Sequence, residues 1–273
     1  MRITKAIIPV AGWGTRRLPI TKSIEKCMLP IGNRPIVDYV VQDCIAAGIK
    51  DIYFIVSENS SQLQAYYEEN TLLNDYLVAN NKADKLSLVT PPPSVSFHYI
   101  AQPMKGKYGT AIPVSLAAPY LDEGESVVVL MGDDFIFNTD GTSEVSRLLD
   151  AAESSGSSMM GVAVPKENVS RYGVIELNEN NEFMRIVEKP AVEEAPSNLI
   201  NVSKYVLNYE ILKMIIAYTH EEVDGEYYIT DPINRYVLQG GALRVVPARG
   251  KYLDGGSVEG WLYANKVVLE DVN

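Results

Sequence analysis

Ala6-Ile7-Ile8-Pro9-Val10-Ala11-Gly12-Trp13-Gly14-Thr15-Arg16-Arg17 is an apolar strand that runs into a glycine turn and then two arginines. The pattern reads as a phosphate-binding loop. Its two glycines let backbone N–H groups approach an anion closely, a following helix start would add unpaired donors, and the arginines bring charge with bidentate geometry. Lys22 and Lys26 follow at once. Between Met1 and Arg34 there are seven basic residues against the single acid Glu25, although the chain carries a formal net charge of -11. A basic island in an acidic protein points to a local polyphosphate ligand; a nucleic-acid binder would spread positive charge over a face.

The remaining composition narrows the class. With 273 residues, 47% hydrophobic and 22% charged, the chain can bury a full core without staples. No apolar run approaches the ~20 residues needed to cross a bilayer, so neither a membrane nor a nucleic-acid partner is expected, and the protein is read as cytoplasmic. Cys27 and Cys44 lack metal-ligand spacing and read as packing thiols. Only His98 and His220 are present, which leaves Ser-His or Cys-His nucleophilic catalysis poorly supported. His98 reads as a satisfied core residue, and Arg17, Lys105 and Lys107 as loop-surface charges. Cations and carboxylates are the candidate catalytic groups.

Beyond the loop, apolar spacing predicts a helix over Ile36–Ala47 ending at Gly48, a strand over Asp51–Ser57 and a helical stretch from Ser60 to Ala83. A strand over Ser96–Ala101 and a helix over Gly109–Tyr120 come next. Ser126–Met131 is a near-continuous apolar run that ends in Gly132-Asp133-Asp134, as a central parallel strand would present acids at its carboxyl end. In the second half, strands at Tyr172–Leu177 and Phe183–Glu188 read as a hairpin inserted beside the main sheet. Leu199–Leu207 and Ala242–Val246 are further strands, and Tyr209–Tyr218, Asp231–Leu238 and Ser257–Leu269 are helices. No linker divides the chain. The expected fold is α/β, with one domain over 1–273 built on a central mixed, mostly parallel sheet with an inserted β lobe.

A Walker loop is absent, and Arg17 stands where a dinucleotide fingerprint needs its third glycine. Gly12, Gly14, Thr15 and Arg16, followed by Lys22, Lys26, Met28, Leu29 and Pro30, instead resemble the signature of the sugar-1-phosphate nucleotidyltransferases, and among them the uridylyltransferases. Further matches are Thr21–Pro30, Tyr172-Gly173-Val174, Glu188-Lys189-Pro190, Ala195–Leu199, Tyr205-Val206-Leu207, Gly225-Glu226 with Thr230-Asp231, and Asp254-Gly255-Gly256. The helical insertion from Ser60 to Pro93 separates the chain from thymidylyltransferases.

The resemblance implies a Rossmann-like, three-layer GT-A-like fold with an inserted sugar-side β lobe, with 1–135 mainly the nucleotide-binding half and 136–273 mainly the sugar-binding half. It implies transfer of a uridylyl group from UTP to glucose 1-phosphate with Mg²⁺, by a homo-oligomer (dimer or tetramer). The alternatives are thymidylyl or other sugar-1-phosphate transfer, and a non-catalytic sugar-nucleotide-binding paralogue. Arg16, Lys26 and Asp133 are the implied catalytic residues. Ala11, Gly12, Gly14, Thr15, Gln102 and Gly109 are implied on the nucleotide, and Gly173, Glu188, Lys189 and Val202 on the sugar phosphate. Asp133 and Asp254 are the implied metal ligands, since Mg²⁺ accepts one or two carboxylates plus phosphate oxygens and water. The chain departs from the family pattern at Lys107-Tyr108-Gly109-Thr110-Ala111, where Gly-Leu-Gly-His-Ala is usual, and at Cys27, where the family often has Glu. Trp13 and Cys27 are left without a role.

Overall fold

A computed structural model describes residues 2–272 of the chain. In chain order it runs β1 (Lys5–Pro9), three short 3-10 turns, β2 (Pro30–Ile31), β3 (Arg34–Pro35), α1 (Ile36–Ala46), β4 (Asp51–Ser57), α2 (Gln62–Tyr67), α3 (Thr71–Ala79) and β5 (Ser96–Gln102). Next come α4 (Ala111–Ala117), β6 (Val127–Leu130), β7 (Asp134–Phe137), α5 (Glu144–Ser155), β8 (Ser158–Ala163), β9 (Gly173–Leu177) and β10 (Phe183–Glu188). The chain closes with β11 (Leu199–Leu207), α6 (Tyr209–His220), α7 (Thr230–Leu238), β12 (Arg244–Pro247), β13 (Lys251–Asp254) and α8 (Val258–Val272).

Nine strands form one sheet along the path β10-β9-β11-β6-β1-β4-β5, with β8 on β11 and β12 on β8. The run β6-β1-β4-β5 is parallel; β11 lies antiparallel to β6, β8 and β9. Alternation along each strand makes two cores, one per face. Ala6 and Ile8 of β1 and Val128 and Leu130 of β6 face a cluster with α1, α2, α5 and α8. Ile7, Val127 and Val129 face α4, α6 and α7. Covering both faces explains why β4 and β6 read as unbroken apolar runs. The parallel strands change direction of growth between β1 and β6, the switch point where open α/β sheets place their ligands.

Several expectations shift. The segment after the glycine loop is not a helix start but the 3-10 turns Thr15–Arg17, Ile20–Lys22 and Lys26–Met28; Leu18, ahead of Pro19, is extended at φ -62°, ψ 143°, as a residue before proline prefers. The helical stretch from Ser60 splits, because Asn70 caps a second helix by accepting from the Leu73 N–H at 3.0 Å. The β9–β10 hairpin does not sit beside the sheet but continues it through Ile200 and Val174. The strand expected at Ala242–Val246 begins at Arg244. β7 and β13 pair as a separate antiparallel ribbon, with Asp134 opposite Asp254; neither is apparent from periodicity, being four residues long.

Candidate active site

The site grows from four strand ends. β1 leads into the glycine loop, β6 into Gly132-Asp133, and β4 and β5 end alongside at Ser57 and Gln102. A Cβ on Gly132 would lie 2.4 Å from Val10 Cγ1, so glycine is what lets the ends of β1 and β6 close up. At Gly12 the opposite holds: a Cβ there would meet nothing within 4 Å, because the backbone faces open space.

Two cavities meet above these ends. The larger, about 500 Å³, is bounded by Ala11 and Gly12, by Arg16 and Lys26, by Gln102 and Gly109, and by Asp133. The smaller, about 250 Å³, takes Arg16 and Asp133 again, with Gly173, Glu188, Lys189, Val202 and Asp254. Arg16, Thr110 and Asp133 line both. Gly14 and Thr15 line neither. Gly14 instead shapes the loop from φ +63°, and its carbonyl accepts from Thr21 Oγ1 at 2.9 Å.

Charge is arranged in pairs. The Asp133 carboxylate is in contact with the Lys26 ammonium. Burial alone would raise the Asp133 carboxyl, but Lys26, with Lys204 and Arg16 further off, holds it below the ordinary carboxylate range. Beneath it, Lys204 and Asp134, 4% and 9% exposed, form a buried ion pair. The Lys204 ammonium also donates to the Asp134 carbonyl at 3.3 Å, and the Tyr252 hydroxyl donates to the Asp134 carboxylate at 3.3 Å. Burial, with the charges of Asp133 and Asp254, pushes the Asp134 carboxyl up to about 6 against the pull of Lys204.

Lys204 reaches this place through a break in β11. The register slips between Asn201 and Tyr205, Ser203 takes φ +50°, and its N–H donates to Asn201 Oδ1 at 3.0 Å. The strand pattern over Leu199–Leu207 gave no sign of that bulge, which sets Val202 and Ser203 on the wall of the smaller cavity.

Glu188 ends β10. Burial raises its carboxyl, partly offset by the Thr230 hydroxyl, which donates to Oε1 at 2.8 Å. Across the hairpin, a Cβ on Gly173 would lie 2.8 Å from Ile186 Cγ2 and 3.1 Å from Glu188 Oε1. Asp254 arrives on β13; its Oδ1 accepts from the Gly256 N–H at 2.7 Å, and the Gly255 N–H donates to the Asp133 carbonyl at 3.1 Å. Asp133 and Asp254 thus lie on adjoining segments and line the same cavity.

Other residues stand differently from their sequence reading. Arg17 is not a surface charge: it is 4% exposed, donates to the carbonyls of Gly255 (2.7 Å) and Ser257 (3.0 Å), and lies over Trp261. Its neighbours come from the far end of the chain, so local context could not reveal them. Lys107 is an exposed loop residue as expected, and its ammonium also donates to the Thr219 carbonyl at 2.5 Å. His98 is half-exposed on edge strand β5 and pairs with Asp51 Oδ1 at 2.9 Å. Cys27 and Cys44, by contrast, are buried free thiols as expected of packing residues, pushed up by burial. Trp13 is 67% exposed at the rim of the larger cavity. Thr230, Tyr228, Lys204 and Asp134 carried no individual role in the sequence reading. Thr230 stands in a matched stretch, and Asp134 beside Asp133 was the available signal.

The family model described as nucleotidyl transferase matches residues 5–271. A Methanocaldococcus jannaschii protein provisionally named UTP–glucose-1-phosphate uridylyltransferase is 37% identical over 271 residues, covering 96% of this chain and 92% of that protein. The Mycoplasma pneumoniae protein named UTP–glucose-1-phosphate uridylyltransferase is 31% identical, covering 97% and 91%. Among solved structures, the UTP-bound UGPase from Acinetobacter baumannii superposes with a TM-score of 0.87 at 30% identity, over 97% of this chain and 93% of that one. A glycine loop with Arg16 and Lys26, an aspartate at the switch point and matches over the full length agree: the chain belongs to the nucleotidyl transferase family, and within it is similar to UTP–glucose-1-phosphate uridylyltransferases.

Proposed function

We propose that the protein transfers a uridylyl group from UTP to glucose 1-phosphate, giving UDP-glucose and pyrophosphate. The observation that carries this reading is the shared wall of the two cavities. A triphosphate in the larger and a sugar phosphate in the smaller would meet at Arg16 and Asp133. Likeness to relatives named for this reaction supports the choice of substrates. In this reading residues 1–135 supply most of the nucleotide side and 136–273 most of the sugar side of a single domain.

Two polyanions must be held together for the reaction. A phosphate oxygen of glucose 1-phosphate forms a bond to the α-phosphorus of UTP while the bond to the β-phosphate oxygen breaks in line and pyrophosphate departs. Arg16 clamps the triphosphate and takes up charge developing on the leaving group. Lys26 holds the phosphate chain, exchanging its contact with Asp133 for phosphate oxygens. Lys189 holds the sugar phosphate. Glu188, kept in place by Thr230, accepts from sugar hydroxyls, and Gly173 leaves room for the ring. Ala11, Gly12, Gln102 and Gly109 form the wall against which the base is read.

Asp133 and Asp254 would hold Mg²⁺, and the residues fit it. Both offer hard oxygen donors from adjoining segments on the wall of one cavity, Asp133 after β6 and Asp254 at the end of β13. Phosphate oxygens and water would complete the shell, the coordination Mg²⁺ prefers. When bound, the ion supplies positive charge against the phosphates. Among the described residues, no helix is long and apolar enough to cross a membrane. The reading includes a cytoplasmic homo-oligomer. Its support is two free buried thiols, suited to a reducing compartment, and apolar Val258 and Leu262 exposed along α8.

The test is pyrophosphate release with each nucleoside triphosphate against a panel of sugar 1-phosphates. UTP with glucose 1-phosphate is expected to give the highest kcat/KM; a preference for dTTP would overturn the assignment.

A further inference from the structure

We propose that Tyr228 is a positioning residue of the sugar-phosphate subsite, holding the Lys189 ammonium over the smaller cavity before the sugar 1-phosphate arrives. The inference rests on the reading that Lys189 binds that phosphate. Lys189 directly follows β10 in an unusual backbone state, at φ +45°, with its N–H donating to the Tyr172 carbonyl at 3.0 Å. Its backbone is therefore fixed while its side chain is exposed. A four-carbon stem on a fixed backbone still samples many rotamers, and that freedom is lost when the ammonium binds an anion.

Tyr228 restricts the stem in two ways. Its hydroxyl oxygen accepts from Lys189 Nζ at 3.4 Å, and its ring centroid lies 5.5 Å from the same nitrogen, within cation–π range. Burial and the nearby Glu226 raise the phenol above its ordinary value, so it remains neutral. That neutrality matters. Lys26 and Lys204 are each matched by a carboxylate, and a phosphate must compete with such a partner. An aromatic face steadies the Lys189 charge without cancelling it.

Tyr228 is itself held firmly. Buried Tyr227 and Ile229 flank it, at 5% and 1% exposure. The Tyr227 N–H donates to the Tyr108 carbonyl and the Ala111 N–H to the Tyr227 carbonyl, both at 2.9 Å. The Ile229 N–H donates to Thr110 Oγ1, also at 2.9 Å. The segment is thus pinned to the loop that lines the larger cavity, and it carries Tyr228 and Thr230 onto the wall of the smaller one, beneath Lys189 and Glu188 respectively. The sequence places a tyrosine at 228 with no partner in view, since Lys189 lies 39 positions away.

The test is a double-mutant cycle on the purified enzyme, following pyrophosphate release. Tyr228→Leu, which stays apolar and removes ring and hydroxyl, should raise KM for glucose 1-phosphate about five- to tenfold, and Tyr228→Phe about twofold, with KM for UTP unmoved. In a Lys189→Ala background, Tyr228→Leu should change KM for glucose 1-phosphate by less than about twofold, because the group it positions is gone. The same factor in both backgrounds would overturn the proposal, as would an equal rise in KM for UTP. If Lys189→Ala alone leaves KM for glucose 1-phosphate unchanged, the underlying assignment of Lys189 fails instead.

Discussion

Replacing Lys204 by methionine removes one half of a buried ion pair and leaves the Asp134 carboxylate facing Tyr252 with no cation in contact. Removing one partner of such a pair costs about 3–5 kcal/mol, because the surviving charge is desolvated without compensation. For a chain of this size each kcal/mol lowers Tm by roughly 2–4 °C, so Lys204→Met should melt on the order of 10 °C below the parent. The deficit should depend on pH, with a definite sign. Burial already lifts the folded-state carboxyl of Asp134 from 3.8 to about 6, and loss of Lys204 lifts it further. A folded pKa above the unfolded one means the native state holds a proton that the unfolded chain has released. Stability from this group therefore falls as pH rises from about 4 through the folded pKa. The gap between Lys204→Met and the parent should be widest near pH 8 and narrow toward pH 5. Adding Asp134→Asn removes the second charge and should recover the melt to within about 1 kcal/mol of the parent. Urea unfolding at several pH values checks the series. A Lys204→Met deficit under about 1 kcal/mol at pH 8, or a double variant no better than the single one, would refute the reasoning.

Asp133→Asn should lower turnover roughly 10²- to 10³-fold at saturating Mg²⁺ while leaving the melt near that of the parent, and chelation of Mg²⁺ should reduce the native enzyme similarly; pyrophosphate release with calorimetry tests both. Thr230→Val removes a hydrogen bond of about 1 kcal/mol from Glu188, raising KM for glucose 1-phosphate about fivefold. Because Thr230 pulls down a carboxyl that burial has raised, the acid limb of kcat/KM for glucose 1-phosphate should move to higher pH in that variant. Gly109→Ala would put a Cβ 2.4 Å from the Tyr227 carbonyl at φ +124°; it should cost about 1–3 kcal/mol and raise KM for UTP, read by melting and kinetics.

What the sequence disclosed followed from chemistry that is local along the chain. Val127–Leu130 announces a buried strand because every residue in it is apolar, and Asp133 sits at its end by simple continuation. Gly12, Arg16 and Lys26 lie within one short stretch, so their meeting needs no knowledge of the fold. Arg17 escaped notice because the carbonyls to which it donates lie 238 and 240 positions on. Lys204 escaped because a positive φ at Ser203 reverses the alternation that would place it. The β7–β13 ribbon was hidden for a different reason: four-residue strands carry too little periodicity to stand out from loops.

The bond from Arg17 to Gly255 bears on how the protein is made. During synthesis the glycine loop emerges 238 residues ahead of Gly255 and 240 ahead of Ser257, whose carbonyls anchor Arg17. A nascent chain can form β1, α1 and β4 long before that. Until residue 257 is available, however, the buried guanidinium has neither of its carbonyl partners. Long-range closures of this kind slow folding relative to local ones. Closure of the glycine loop should thus be a late event on the folding pathway, and a ribosome stalled before β13 would display a chain with much of its sheet assembled and the Arg17 guanidinium without its carbonyl partners.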